Sequence, residues 1–223
     1  MTDRPRTAEQ VLELLGVQRC IAIVRSQSPE GALAASRALV AAGFTAVEIT
    51  YTTPRATELL STLRAEYGDR ILLGAGTVSS AGQAGGATNA GADFLVCPGS
   101  PPELVRAMLE TGRLVVPGVL TPTEIMTVRA AGALVVKLFP AAMVGPAGLA
   151  ALRGPFPDLA VIPSGGVAIE EVGSWLAAGA HAVGLGSGLT STGSDPSRHL
   201  VSTAAAQLLD TLRSAGGAAQ DRR

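Results

Sequence analysis

Lysine is almost missing from this chain. Of its 17 basic residues 16 are arginine, and the one lysine, Lys137, lies inside the apolar run Ala133-Leu134-Val135-Val136-Lys137-Leu138-Phe139-Pro140. Histidine and cysteine are nearly as scarce, at two each. With His181 and His199 as the sole imidazoles, no His-rich metal site can be assembled; this argues against zinc chemistry and leaves carboxylate-bound magnesium open. Cys20 and Cys97 fall in apolar runs and read as small core residues, with a reactive thiol as the alternative. Neither sign of charge is in excess: the net charge is −1 and charged residues make up 16 %. No partner nucleic acid or anionic membrane is therefore expected. No apolar run approaches the about 18 residues of a membrane span. The opening residues carry Asp3, Arg4, Arg6 and Glu9 with no apolar stretch behind them, so no secretory leader is expected and the chain reads as cytoplasmic.

What the chain has in quantity is apolar residues, 47 %, and 27 glycines, a composition suited to buried parallel strands joined by tight loops. Short β-branched runs at 20–24, 46–50, 71–75, 93–97, 114–117, 133–139, 159–163 and 182–186 alternate with helical patterns at 29–42, 54–67, 83–90, 102–110, 122–131, 146–152, 170–178 and 196–214. Proline opens many of the helical patterns, and a glycine such as Gly43, Gly68 or Gly132 follows, the usual asymmetry of helix ends. Eight β/α units nearly exhaust the chain, which predicts an α/β fold with a single (β/α)8 TIM barrel over residues 1–213. A doubly wound open sheet is the runner-up. Residues 7–15 predict an extra N-terminal helix capped by Thr7, closing the barrel bottom. Residues 214–223 are small, polar and glycine-rich, and are expected to be a disordered tail.

In such a barrel, reactive groups collect where the strands end. Lys137 lies there, and apolar surroundings are expected to depress its pKa and make it a nucleophile toward a carbonyl, which arginine cannot be. The other reading is a lysine at a strand end with its head in water. In Ala46-Val47-Glu48-Ile49-Thr50 strict alternation sends Glu48 and Thr50 one way and the apolar pair the other. If the apolar pair meets the helices, Glu48 and Lys137 converge at the barrel mouth, as an acid/base couple or as a structural ion pair. The turns Ser164-Gly165-Gly166-Val167 and Gly186-Ser187-Gly188 suit a phosphate, since glycine lets backbone N–H groups approach an anion; they can also be plain tight turns. Arg25 is either a carboxylate clamp or a rim charge. Tyr51 and Phe139 are placed to wall a pocket, while Trp175 and Tyr67 read as packing.

Together Val47-Glu48-Ile49-Thr50, Gly74-Ala75-Gly76-Thr77-Val78, Ala92-Asp93-Phe94-Leu95-Val96-Cys97-Pro98-Gly99, Val116-Pro117-Gly118, Val136-Lys137-Leu138-Phe139-Pro140, Pro163-Ser164-Gly165-Gly166-Val167 and Gly184-Leu185-Gly186-Ser187 resemble the 2-dehydro-3-deoxy-phosphogluconate (KDPG) and 4-hydroxy-2-oxoglutarate aldolase family. The resemblance implies a class I aldolase that needs no metal or cofactor, is homotrimeric, and cleaves a phosphorylated keto acid to pyruvate and glyceraldehyde 3-phosphate. It implies that Lys137 forms the Schiff base and Glu48 is the acid/base. It also implies that Thr77, Pro98 and Phe139 line the pyruvyl pocket and that Gly165, Gly166, Gly186 and Ser187 hold the phosphate. One departure stands out. Phosphogluconate-type members carry an arginine where this chain has Thr52, whereas Ile21-Ala22-Ile23-Val24-Arg25 is similar to the opening of the phosphogalactonate-type branch. The competing readings are a phosphosugar isomerase or epimerase, and a non-catalytic barrel that binds a phosphorylated acid.

Overall fold

The computed structural model describes residues 5–186 together with Leu189 and Leu208; Ser187 and, apart from Leu208, the predicted helix at 196–214 lie outside these, as does the tail. Strands and helices alternate: α1 (Ala8–Gln18), β1 (Cys20–Val24), α2 (Pro29–Ala41), β2 (Ala46–Thr50), α3 (Ala56–Tyr67), β3 (Leu72–Gly76), α4 (Ala81–Asn89), β4 (Phe94–Val96), α5 (Pro102–Leu109), β5 (Leu114–Val116), β6 (Gly118–Val119), α6 (Pro122–Ala130), β7 (Val135–Leu138), α7 (Gly145–Arg153), β8 (Ala160–Pro163), α8 (Val172–Ala177) and β9 (Val183–Leu185). Proline opens α2, α5 and α6, where its missing N–H costs nothing. The predicted N-terminal helix is present, and Thr7 caps it in a reciprocal box with Gln10.

The single closed barrel of eight strands is corrected. The strands form a curled six-stranded parallel sheet, β5-β4-β3-β2-β1-β9, and a separate three-stranded sheet, β6-β7-β8. Pro117 explains one break: it splits the predicted strand at 114–117 because it has no N–H to continue a ladder. Before it, Val116 pairs with Val96 of β4; after it, Gly118 pairs with Lys137 of β7. At the other seam the sheets meet through the isolated bridge between Ser164 and Gly184.

The strand alternation was read correctly, and it sorts the side chains into two cores. Val47, Ile49, Leu73, Ala75, Val136 and Leu138 join the helices in one. The opposite faces of both sheets supply the other: Ile21, Ala46, Leu72, Phe94, Leu114, Val135 and Ile162, closed at one end by Val11 and Leu15 of α1. The inner cluster is thus a shared apolar layer between the sheets, floored by α1. At about 25 cal/mol per Å² of apolar area removed from water, burial of this kind dominates the favourable side of folding.

Candidate active site

Glu48 lies two residues beyond Ala46 on β2, and Lys137 two beyond Val135 on β7. A strand repeats its facing every second residue, so both side chains point to the inner side, just above the apolar layer. Both are buried, at 2 % and 8 % exposure. The Lys137 Nζ sits 4.7 Å from the centre of the Phe139 ring, an aromatic face that attracts a cation. Glu48 needs room, and the neighbouring strand supplies it: a Cβ at Gly76 would overlap the Glu48 carboxylate, so only glycine fits there.

The carboxylate has not been satisfied by the fold. Among the described residues Glu48 forms no ion pair, and its Oε1 is buried without a hydrogen-bond partner. Such an atom costs about 1–3 kcal/mol, which a purely structural pair would have avoided. Burial pushes the Glu48 pKa above its ordinary value, and the charges of Lys137 and Arg25 draw it partly back. The arrangement is an acid and an amine at one sheltered place, each within the other's field and neither neutralised by contact.

The remaining predicted residues lie just past the ends of the strands or close beside them. Thr77 follows β3 in the left-handed region at φ 55°, an uncommon conformation for a β-branched residue and one that recurs at binding sites. Phe139 and Gly165 touch in effect, because the ring fills the place of a Gly165 side chain. Gly165 and Gly166 both have positive φ, 85° and 77°, which turns the chain sharply after β8. The Ser164–Gly184 bridge sets that turn alongside β9, which Gly186 follows. Pro98 is exposed, and its carbonyl packs where a Gly118 side chain would be. Arg25 is exposed at the end of β1, on the facing shared by Ile21 and Ile23.

Other residues do something else. The Tyr51 hydroxyl donates to the Gln83 carbonyl at 2.9 Å and lies 3.0 Å from Thr57, which fastens it to α4 and takes it from the pocket-wall role. Trp175 is buried in α8 and Tyr67 packs on the outer core, as expected of packing residues. Cys20 and Cys97 are both buried, and burial pushes both thiols up; neither is set up as a thiolate. Among the described residues no group of three or more His, Cys, Asp or Glu could hold a metal ion, and no helix is long and apolar enough to cross a membrane. A surface groove of about 340 Å³ between α2 and α3, lined by Arg37, Arg55 and Glu58, contains none of the strand-end groups. Residues that sequence reasoning passed over are Ser26, next to Arg25 in the chain, and Thr53, whose hydroxyl accepts from the Ser26 N–H, both buried; the run Thr50-Tyr51-Thr52-Thr53 was the only trace of Thr53.

Comparison with known proteins bears on this geometry. The family model described as KDPG and KHG aldolase matches residues 11–199. A 2-dehydro-3-deoxy-6-phosphogalactonate aldolase of Escherichia coli (strain K12) is 38% identical over 179 residues, which is 80% of this chain and 87% of that protein. Among solved structures, a KDPG aldolase from Legionella pneumophila, with pyruvate captured at low pH as a covalent carbinolamine intermediate, is 30% identical with a TM-score of 0.77, covering 90% of this chain and 95% of that one. A chain of a cube-shaped protein cage designed by fusing symmetric oligomeric domains is 35% identical with a TM-score of 0.85, covering 92% of this chain and 75% of the other.

Proposed function

The chain belongs to the KDPG and KHG aldolase family, and on that premise we propose how its residues perform a class I aldol cleavage. The substrate is 2-dehydro-3-deoxy-6-phosphogluconate or its galactonate epimer, and the products are pyruvate and D-glyceraldehyde 3-phosphate. The observation that carries the assignment of roles is the buried Lys137 and the buried Glu48, whose Oε1 has no hydrogen-bond partner, both on the inner face.

Lys137 attacks the C2 ketone through its unprotonated amine, forming a carbinolamine; loss of water gives a protonated imine that draws electrons toward C2. Glu48, directly or through a water, takes the proton of the C4 hydroxyl while the C3–C4 bond breaks and its electron pair moves into the imine. Glyceraldehyde 3-phosphate leaves, and the acid returns its proton to C3 of the pyruvate enamine. Water then hydrolyses the imine, releasing pyruvate and the amine. A raised pKa suits a group that must both accept and return that proton. Thr77, Pro98 and Phe139 wall the pyruvyl end, Arg25 takes the substrate carboxylate, and Gly165, Gly166, Gly186 and Ser187 hold the phosphate, whose binding energy positions the chain for cleavage.

The working form is a cytoplasmic homotrimer, a reading supported by the family resemblance and by the likeness to a domain of an oligomeric cage; light scattering giving a monomer would remove it. Borohydride reduction in the presence of pyruvate should leave a stable adduct on the peptide containing Lys137, read by mass spectrometry. Absence of any adduct under turnover conditions would remove the imine. Pyruvate release from the two epimers, assayed side by side, reads the consequence of Thr52.

A further inference from the structure

We infer that Thr53 and Thr50 are positioning residues for Arg25, because their hydroxyls form one directed hydrogen-bond chain that ties together the backbone on its two sides. The chain starts at the Ser26 N–H, which donates to the Thr53 Oγ1 at 3.2 Å. It ends at the Val24 carbonyl, which accepts from the Thr50 Oγ1 at 3.3 Å. The two hydroxyls lie 3.4 Å apart. An amide N–H can only donate and a carbonyl can only accept, and each hydroxyl has one proton. Thr53 must therefore pass its proton toward Thr50, and Thr50 toward Val24. The Thr52 hydroxyl, 2.9 Å from that of Thr50, donates into the lone pair that remains.

Residue 25 is the one spanned by this loop. Each bond is long for its type, so the restraint lies in the closure: all three groups are polarised in one sense. Thr50 and Thr53 are 1 % and 2 % exposed and Ser26 is 4 %, which keeps water from replacing the links. The consequence is a fixed backbone under a long, exposed side chain. An arginine that must meet a carboxylate in a defined geometry gains most from such a base, since a misplacement of about 1 Å can cost on the order of 10²-fold. Neither threonine touches the reacting atoms in this account; both act through Arg25. The inference rests on the reading that Arg25 takes the substrate carboxylate.

The test is a double-mutant cycle with Thr53→Val and Arg25→Gln, measured as KM and kcat for cleavage of each epimer, with Thr53→Ser as the conservative control. Thr53→Val should raise KM roughly tenfold with kcat within about twofold, Thr53→Ser should restore it, and adding Thr53→Val to Arg25→Gln should change KM less than about twofold. Full additivity would overturn the inference, as would an unchanged KM in Thr53→Val. If Arg25→Gln alone leaves KM unchanged, the carboxylate reading fails and the positioning role with it; if Arg25→Gln raises KM and Thr53→Val does not, the positioning role fails by itself. Should Thr53→Val not fold, Thr53→Ser and Thr53→Ala in the same cycle give the same decision.

Discussion

Where the strands begin, Asp93 is a buried carboxylate with both oxygens engaged: Oδ2 accepts from Arg64 at 2.5 Å and from the Leu73 N–H at 2.8 Å, and Oδ1 from Arg6 at 3.4 Å. Where the strands finish, Glu48 is buried at least as deeply, yet its Oε1 has no partner and its nearest cations act on it only through their fields. The same chemical group is therefore spent on stability at one end of the molecule and held in reserve at the other. A carboxylate that is desolvated and left unpaired has its pKa raised and can take up a proton. The difference is the physical ground, independent of any relative, for the chemistry proposed at the carboxy-terminal ends of the strands.

Four substitutions would sharpen or break this contrast. Lys137→Arg keeps the charge and removes the nucleophile, so pyruvate release should fall on the order of 10⁴-fold or more while the fold persists by circular dichroism; retention of even a hundredth of the activity would end the covalent role. Gly76→Ala pushes a methyl into the Glu48 carboxylate, and the resulting displacement should lower kcat about 10²-fold. A variant with wild-type kcat would mean that the position of Glu48 is not critical. Asp93→Asn breaks the saturated cluster and should cost about 3 kcal/mol in urea unfolding with kcat per folded molecule unchanged. A fall in kcat there would erase the division of labour between the two ends.

The smallest effect concerns pH. Glu48 has a raised pKa in the folded protein, so its contribution to stability is fully present below about 4.5, the ordinary value, and is lost as the pH climbs through the folded one. Glu48→Gln removes that dependence. Urea midpoints of the two proteins should lie close together near pH 4.5 and separate toward pH 8, with the variant the more stable. A gap that closes as the pH rises would reverse the assigned cause.

Much of the site could be read from alternation alone. Val47 and Ile49 against Glu48, and Val136 and Leu138 against Lys137, already divide outward from inward residues, because a strand cannot change facing without a bulge. The β/α order was legible for the same reason. The continuity of the sheet was not. Pro117 interrupts a run whose apolar pattern looks unbroken, and the sparse seam at Ser164 and Gly184 depends on how two distant strands approach. Tyr51 looked like a pocket wall until the carbonyl of Gln83, 32 residues away, accounted for its hydroxyl. Threonines after a strand carry no sign of which backbone groups they will meet, so the loop around Arg25 was invisible in the run that forms it.

The amino-acid sequence by itself determined which residues face inward, where the helices start, and that the single amine lies in an apolar strand, since these follow from local periodicity, capping and composition. Only the tertiary structure decided that the strands divide into two sheets, that the amine of β7 and the carboxylate of β2 face the interior without an ion pair, and that the hydroxyls of Thr50 and Thr53 meet the backbone on either side of Arg25. Those outcomes depend on hydrogen bonds and desolvation between segments far apart in the chain, and no local rule encodes them.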